Sequence, residues 1–178
     1  MRNQRGFTLL ETLIAFIVLV FGLLGAVALQ AKAKQATFDS MQRAAALGVA
    51  NDVIDRMRAN SEATLAGNYN GNISSGDTQS GGYVSCINNN CLPAQVAAFD
   101  REQWRRAIRA VDNTGSLSDA QICISTAGDA EQVTINVIVS WDSRQQLSSA
   151  GDAVGDKTDC GGDNNRRRVL SVDSFLFV

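Results

Sequence analysis

Apolar and polar positions divide the 178 residues into two unlike parts. Met1 to Gly6 is short, polar and basic through Arg2 and Arg5, and the 20 residues from Thr12 to Ala31 then carry no charge at all. At 1.5 Å per residue that stretch makes a helix of about 30 Å, the thickness of a bilayer's hydrocarbon core. A helix of a soluble core normally keeps one polar face over such a length. Beyond Ala31, Phe38, Met41, Ala45, Val49, Ile54 and Met57 recur at steps of three to five, with Asp39, Arg43, Asp52, Asp55, Arg56 and Arg58 on other faces. This is amphipathic helical spacing. With no proline from Phe7 to Glu62, the pattern predicts one helix of about 55 residues, roughly 80 Å long. Its first half suits lipid or a bundle of like helices, and its second half suits packing on a globular head.

From Ala66 to Leu92 the chain is rich in Gly, Asn and Ser and reads as a connecting loop with little core. Pro93 opens a second helix with Val96, Phe99, Ala107, Ile108 and Val111 on one face. Strands follow: a short one over 121–125, an alternating one from Val133 to Trp141, and a last one from Val169 to Val178 with Leu170, Val172, Leu176 and Val178 opposite Phe175 and Phe177. A small antiparallel sheet wrapped on the second half of the long helix is the simplest arrangement.

Composition narrows the chemistry. Without histidine there is no Ser-His-Asp or Cys-His unit and no imidazole zinc site, and no paired carboxylates or nucleophile motif stand in their place. The chain reads as a non-enzyme with no cofactor. Sixteen basic against 18 acidic residues leave no basic field to hold nucleic acid. Arg101, Arg105, Arg106 and Arg109 beside Trp104 are diluted by Asp100, Glu102 and Asp112, and read as a solvated face with Trp104 partly packed. Asp152, Asp156, Asp159 and Asp163 lack EF-hand spacing and read as solvated turn residues, with Arg166-Arg167-Arg168 neutralising them or flanking an edge strand. The four cysteines, Cys86, Cys91, Cys123 and Cys160, all follow the apolar segment, and an extracytoplasmic head would pair them. Of three possible connectivities, Cys86–Cys91 with Cys123–Cys160 is favoured; a four-thiolate zinc site is the rival, but paired Cys-x2-Cys knuckles are missing.

Glu11, a carboxylate at the edge of the apolar run, is a functional candidate by default. A secretory signal with cleavage near Ala26-Val27-Ala28 would have a shorter apolar core and no such acid. Gly6-Phe7-Thr8-Leu9-Leu10-Glu11, after a basic leader and before some twenty apolar residues, resembles the type IV prepilin signature. The resemblance implies cleavage between Gly6 and Phe7 by a prepilin peptidase, N-methylation of Phe7, and pairing of Glu11 with the α-amino group of a neighbouring subunit's Phe7 during assembly. A paired carboxylate is far less costly to bury than an isolated one. Many major pilins carry a proline in the apolar half; this chain does not, and Gly22 and Gly25 are its weak or close-contact points there.

Residues 50–60, Ala-Asn-Asp-Val-Ile-Asp-Arg-Met-Arg-Ala-Asn, resemble the type IV pilus modification protein (PilV) family, as do residues 98–105 and the strand ending in Trp141. That family implies an α+β pilin fold: a leader over 1–6, a transmembrane half-helix over 7–31, a periplasmic half over 32–62 and a head over 63–178. It further implies a minor pilin, inserted once in the inner membrane and then placed at the pilus tip. Its partners would be other minor pilins, the major pilin and a PilY-type adhesin, and its role would be to prime pilus assembly and support twitching motility. A minor pseudopilin (I-type) of a type II secretion system shares leader, anchor and fold and is the alternative.

Overall fold

Helix α1 spans Leu9–Ala59 without interruption, as the unbroken apolar and then amphipathic pattern dictates. The computed structural model describes residues 6–78, 83–114, 116–129, 132–144, 146, 160–162 and 165–177. Two compact units divide between Ser40 and Met41. In the first, every described residue from Gly6 to Thr37 is exposed. This part of α1 is long and apolar enough to cross a membrane. Its hydroxyls fold back onto helix carbonyls, Thr12 Oγ1 donating to Leu9 O at 2.8 Å and Thr37 Oγ1 to Ala33 O at 3.0 Å. Such back-bonding leaves no hydroxyl proton without an acceptor in an apolar medium.

In the second unit, α1 ends at Ala59 and a single turn, α2 (Ser61–Leu65), follows. Next come strand β1 (Gly71–Ser74), helix α3 (Pro93–Asn113) and strands β2 (Ser118–Gly128), β3 (Gln132–Asp142) and β4 (Arg167–Phe177). The strands form an antiparallel sheet in the order β1-β2-β3-β4. Apolar residues line up across it in rows: Ile73, Ile122, Val139 and Leu170 in one, and Ile124, Val137 and Val172 in the next. That face packs against Ala46, Ala50, Val53 and Met57 of α1 and Ala97, Trp104 and Ile108 of α3. The long apolar helix on a small antiparallel sheet is the α+β architecture expected from the sequence.

Three readings need correction. Residues 66–92 are not all loop: β1 forms there, and Tyr69, Ile73 and Ser75 are buried. Strand β2 is longer than residues 121–125. On α1, Met41 is 64% exposed and Gln42 takes the buried position. The contact face is set by small residues, Ala46 and Ala50, which let helix and sheet approach, rather than by the largest apolar side chains. Arg167 flanks the edge strand β4, as one of the two readings had it. It is buried at the start of β4, paired with Asp119 at 2.6 Å and Asp142 at 3.3 Å, and it donates to Gly162 O. The four aspartates from Asp152 to Asp163 lie outside the described residues.

One glycine is dictated by this packing. Gly161 has φ +92°, and a Cβ there would lie 2.7 Å from Ser140 Oγ. Only a residue without a side chain lets the Cys160 loop lie this close to the sheet.

Candidate functional site

Two groups of residues carry the chemistry singled out in the sequence, one in each unit. At the N-terminus, Gly6, Phe7 and Thr8 are non-helical and exposed, with Phe7 at 80%. Thr8 is the N-cap of α1. Its carbonyl accepts from Thr12 N–H at 3.3 Å, and its Oγ1 accepts from Glu11 N–H at 3.3 Å. Thr8-Leu-Leu-Glu11 is capping-box spacing, a signal in the sequence that the reading of Gly6, Phe7 and Glu11 passed over. The cap fixes where the helix begins, at Leu9, two residues after Phe7, and puts Glu11 in the first turn where a negative charge meets the positive end of the helix dipole.

A Cβ built on Gly6, Gly22 or Gly25 would meet nothing within 4 Å, and none of the three has positive φ. Among the described residues, nothing packs against those positions in a way that requires glycine.

In the second unit, the segment 50–60 and the residues around Asp100 form one polar clasp between α1 and α3. Arg56 Nη1 donates to Asp100 Oδ1 at 3.0 Å and Arg56 Nε pairs with Asp52 at 3.1 Å. Trp104 Nε1 donates to Asp52 Oδ2 at 2.8 Å. Tyr69 OH donates to Asp100 Oδ2 at 2.8 Å and accepts from Asn60 Nδ2 at 3.0 Å, while Asn60 also donates to Pro93 O at 2.9 Å. Burial, then the adjacent Asp100, pushes the Tyr69 hydroxyl well above its ordinary pKa and keeps it a neutral donor. The Tyr69 and Trp104 rings lie 5.6 Å apart.

One turn further along α3, Arg105 grips Glu102 with two bonds of 2.7 Å, and Arg106 adds a third at 2.8 Å. These bonds, Arg105's foremost, hold the Glu102 carboxyl down to about 2 against the opposing effect of burial. Arg101 donates to the carbonyls of Tyr69, Asn70 and Asn72, fastening β1 to α3, and burial lowers its pKa. The expected solvated face of α3 is therefore corrected: Asp100, Glu102, Trp104 and Arg105 are all buried. Alternating charge at i, i+3 and i+4 satisfies itself on the helix, so it can be buried without leaving a charge unpaired.

The cysteines form two disulfides, Cys86–Cys91 and Cys123–Cys160, each with Cα atoms 5.8 Å apart. Thiolates are thereby absent from the described residues, and no group of His, Cys, Asp or Glu there could hold a metal ion. The first group stands exposed at the start of α1; the second ties α1, α3 and the segment before β1 together within the second unit.

Two family models match the chain. Residues 1–27 match the prokaryotic N-terminal methylation motif, and residues 28–102 match the family described as type IV pilin Tt1218 (Tt1218-like). Nearly the whole clasp lies within the second match, which ends two residues short of Trp104. No curated protein and no solved structure gives a match.

Proposed function

We propose, from the premise that the chain is a type IV pilin with an N-terminal methylation motif and so a pilus component, that it is a minor pilin of the PilV type which helps prime pilus assembly. The observation that carries this is a set of glycines that no described residue of the chain requires. Gly6 stands in an exposed, non-helical segment that a protease can take in extended form. Gly22 and Gly25 stand on the exposed apolar half of α1, where they let a second helix come close.

The steps follow from the residues. A prepilin peptidase cleaves between Gly6 and Phe7, and the new α-amino group is methylated while keeping its positive charge. Because Thr8 caps the helix, that amine sits immediately outside the first turn. When helices bundle, Glu11 of one subunit meets the α-amino group of its neighbour's Phe7, so two charges leave water together rather than singly. This pairing favours one axial offset between subunits. The apolar half-helix serves first as an inner-membrane anchor and then as filament core, while the disulfide-tied head, in the periplasm before assembly, presents surfaces to other minor pilins, the major pilin and a PilY-type adhesin at the tip. The pilin family is structural, and the role is packing rather than catalysis.

A clean deletion strain tests the reading. Loss of surface pili and of twitching with exoprotein secretion intact is the expected result. Lost secretion with normal pili would replace this function by that of a minor pseudopilin.

A further inference from the structure

A cavity of about 570 Å³ opens between α3 and the edge strand β1, and the charges around it do not balance. Glu102 is shared by Arg105 and Arg106, and Asp77 is the other carboxylate in the wall. Arg56, Arg105, Arg106 and Arg167 each meet a carboxylate. Arg101, half-buried in the cavity wall, meets none among the described residues. The carbonyls of Tyr69, Asn70 and Asn72 hold its guanidinium in place but carry no charge. They leave its Nε–H and one Nη2–H without an acceptor among the described residues. Burial lowers its pKa, and no carboxylate opposes that effect. Arg101, Arg105 and Arg106 against Glu102 and Asp77 leave an excess of one positive charge.

We infer that this cavity binds one carboxylate on a short aliphatic stem, such as a glutamate side chain presents. The two open N–H bonds of Arg101 suffice for the two oxygens of a carboxylate. The exposed Asn68 amide and Thr78 hydroxyl stand in the same wall as further donors. Ala94 and Ala98, one turn apart on α3, offer the stem an apolar floor. A phosphate or other dianion fits less well, because its second charge would exceed the single excess and face Glu102 and Asp77. The carboxylate can belong to a free solute or to an acidic side chain of a neighbouring subunit. The site itself does not depend on the minor-pilin reading.

The test uses the full-length chain in mild detergent and two probes, N-acetylglutamate amide and its uncharged counterpart N-acetylglutamine amide. Saturation-transfer NMR on the probe signals should show the acidic one binding at least about tenfold more tightly, the difference that one charge-assisted hydrogen bond makes. Raising NaCl from about 0.05 to about 0.5 M should weaken it. Ala98→Glu builds a carboxylate into the wall one turn before Arg101. It should lower affinity for the acidic probe at least about tenfold, with a melting midpoint at or above wild type. Ala98→Gln, similar in size and neutral, should keep the preference for the acidic probe. Co-purification of the tagged variants from cells that make pili then separates the sources. If Ala98→Glu retains fewer pilin-class subunits than Ala98→Gln, the carboxylate comes from a neighbouring subunit; if both retain the wild-type amount, it comes from a free solute. Equal binding of the two probes, binding of neither, or wild-type binding by Ala98→Glu overturns the inference. None of these results touches the minor-pilin reading, which the deletion strain tests.

Discussion

Asp100 is the point at which α1, α3 and the segment leading into β1 meet, and its removal is the sharpest test of the clasp. Its carboxylate is buried and takes one bond from Arg56 at 3.0 Å and one from Tyr69 OH at 2.8 Å. In Asp100→Ala, Arg56 keeps Asp52, so the charge is not stranded. The Tyr69 proton is stranded, because Asn60 Nδ2 can only donate to that hydroxyl. A lost hydrogen bond to a charged group is worth about 1.5–3 kcal/mol and a buried unsatisfied hydroxyl about 1–3. Allowing for overlap and relaxation, about 3 kcal/mol of stability should go, which is about 6–12 °C in melting midpoint for a unit of this size. Tyr69→Phe removes donor and stranded proton together and should cost only about 1 kcal/mol. The double variant should then lose less than the sum, with a coupling of about 1–2 kcal/mol. Urea unfolding in detergent, followed by the fluorescence of the buried Trp104 and Trp141, reads all four chains in the cycle. An Asp100→Ala variant within about 0.5 kcal/mol of wild type, or strict additivity, would refute the reasoning.

Removing Cys123–Cys160, which spans 37 residues, should cost about 4 kcal/mol, against about 2 for Cys86–Cys91, which spans 5, and equal losses in urea titrations would contradict this ordering. Glu102 is held down to about 2 from an ordinary 4.5, so it stabilises the fold fully above about pH 4.5 and loses that contribution as the pH falls toward 2. Glu102→Gln should flatten the urea midpoint across that window, and an unchanged slope would show that the Arg105 pairing is not responsible. Gln42 Oε1 is buried with no hydrogen-bond partner among the described residues, so Gln42→Met should leave thermal stability unchanged or raise it by up to about 1 kcal/mol, whereas a clear loss would mean that the oxygen is satisfied.

The elements legible in the sequence were those with one strong period. The charge-free run and its amphipathic continuation mark α1, Pro93 marks the start of α3, and the alternation from Val133 to Trp141 marks β3. What escaped depends on partners distant in the chain. Strand β1 has only Ile73 as an apolar signal and exists because β2 pairs with it and Arg101 holds its carbonyls. The buried charges of α3 look solvated in sequence because nothing local says that Asp52, Arg56 and Tyr69 close over them. Gln42 in place of Met41 shows that backbone approach at Ala46 and Ala50, and not side-chain hydrophobicity, chose the buried face of α1. At the N-terminus, Gly6, Phe7 and Glu11 stood out as residue types, and Thr8 was legible as a cap but needed the helix start to be seen as one.

Everything proposed about assembly passes through one covalent event at the N-terminus. Intact-mass and N-terminal peptide analysis of the chain from pilus-producing cells reads it directly. The expected mature chain begins at an N-methylated Phe7, with Gly6 and the five residues before it gone, and Gly6→Leu should leave the leader in place. A wild-type chain that keeps Met1 to Gly6, or one cut near Ala28 with the apolar helix removed, would contradict the account at its foundation.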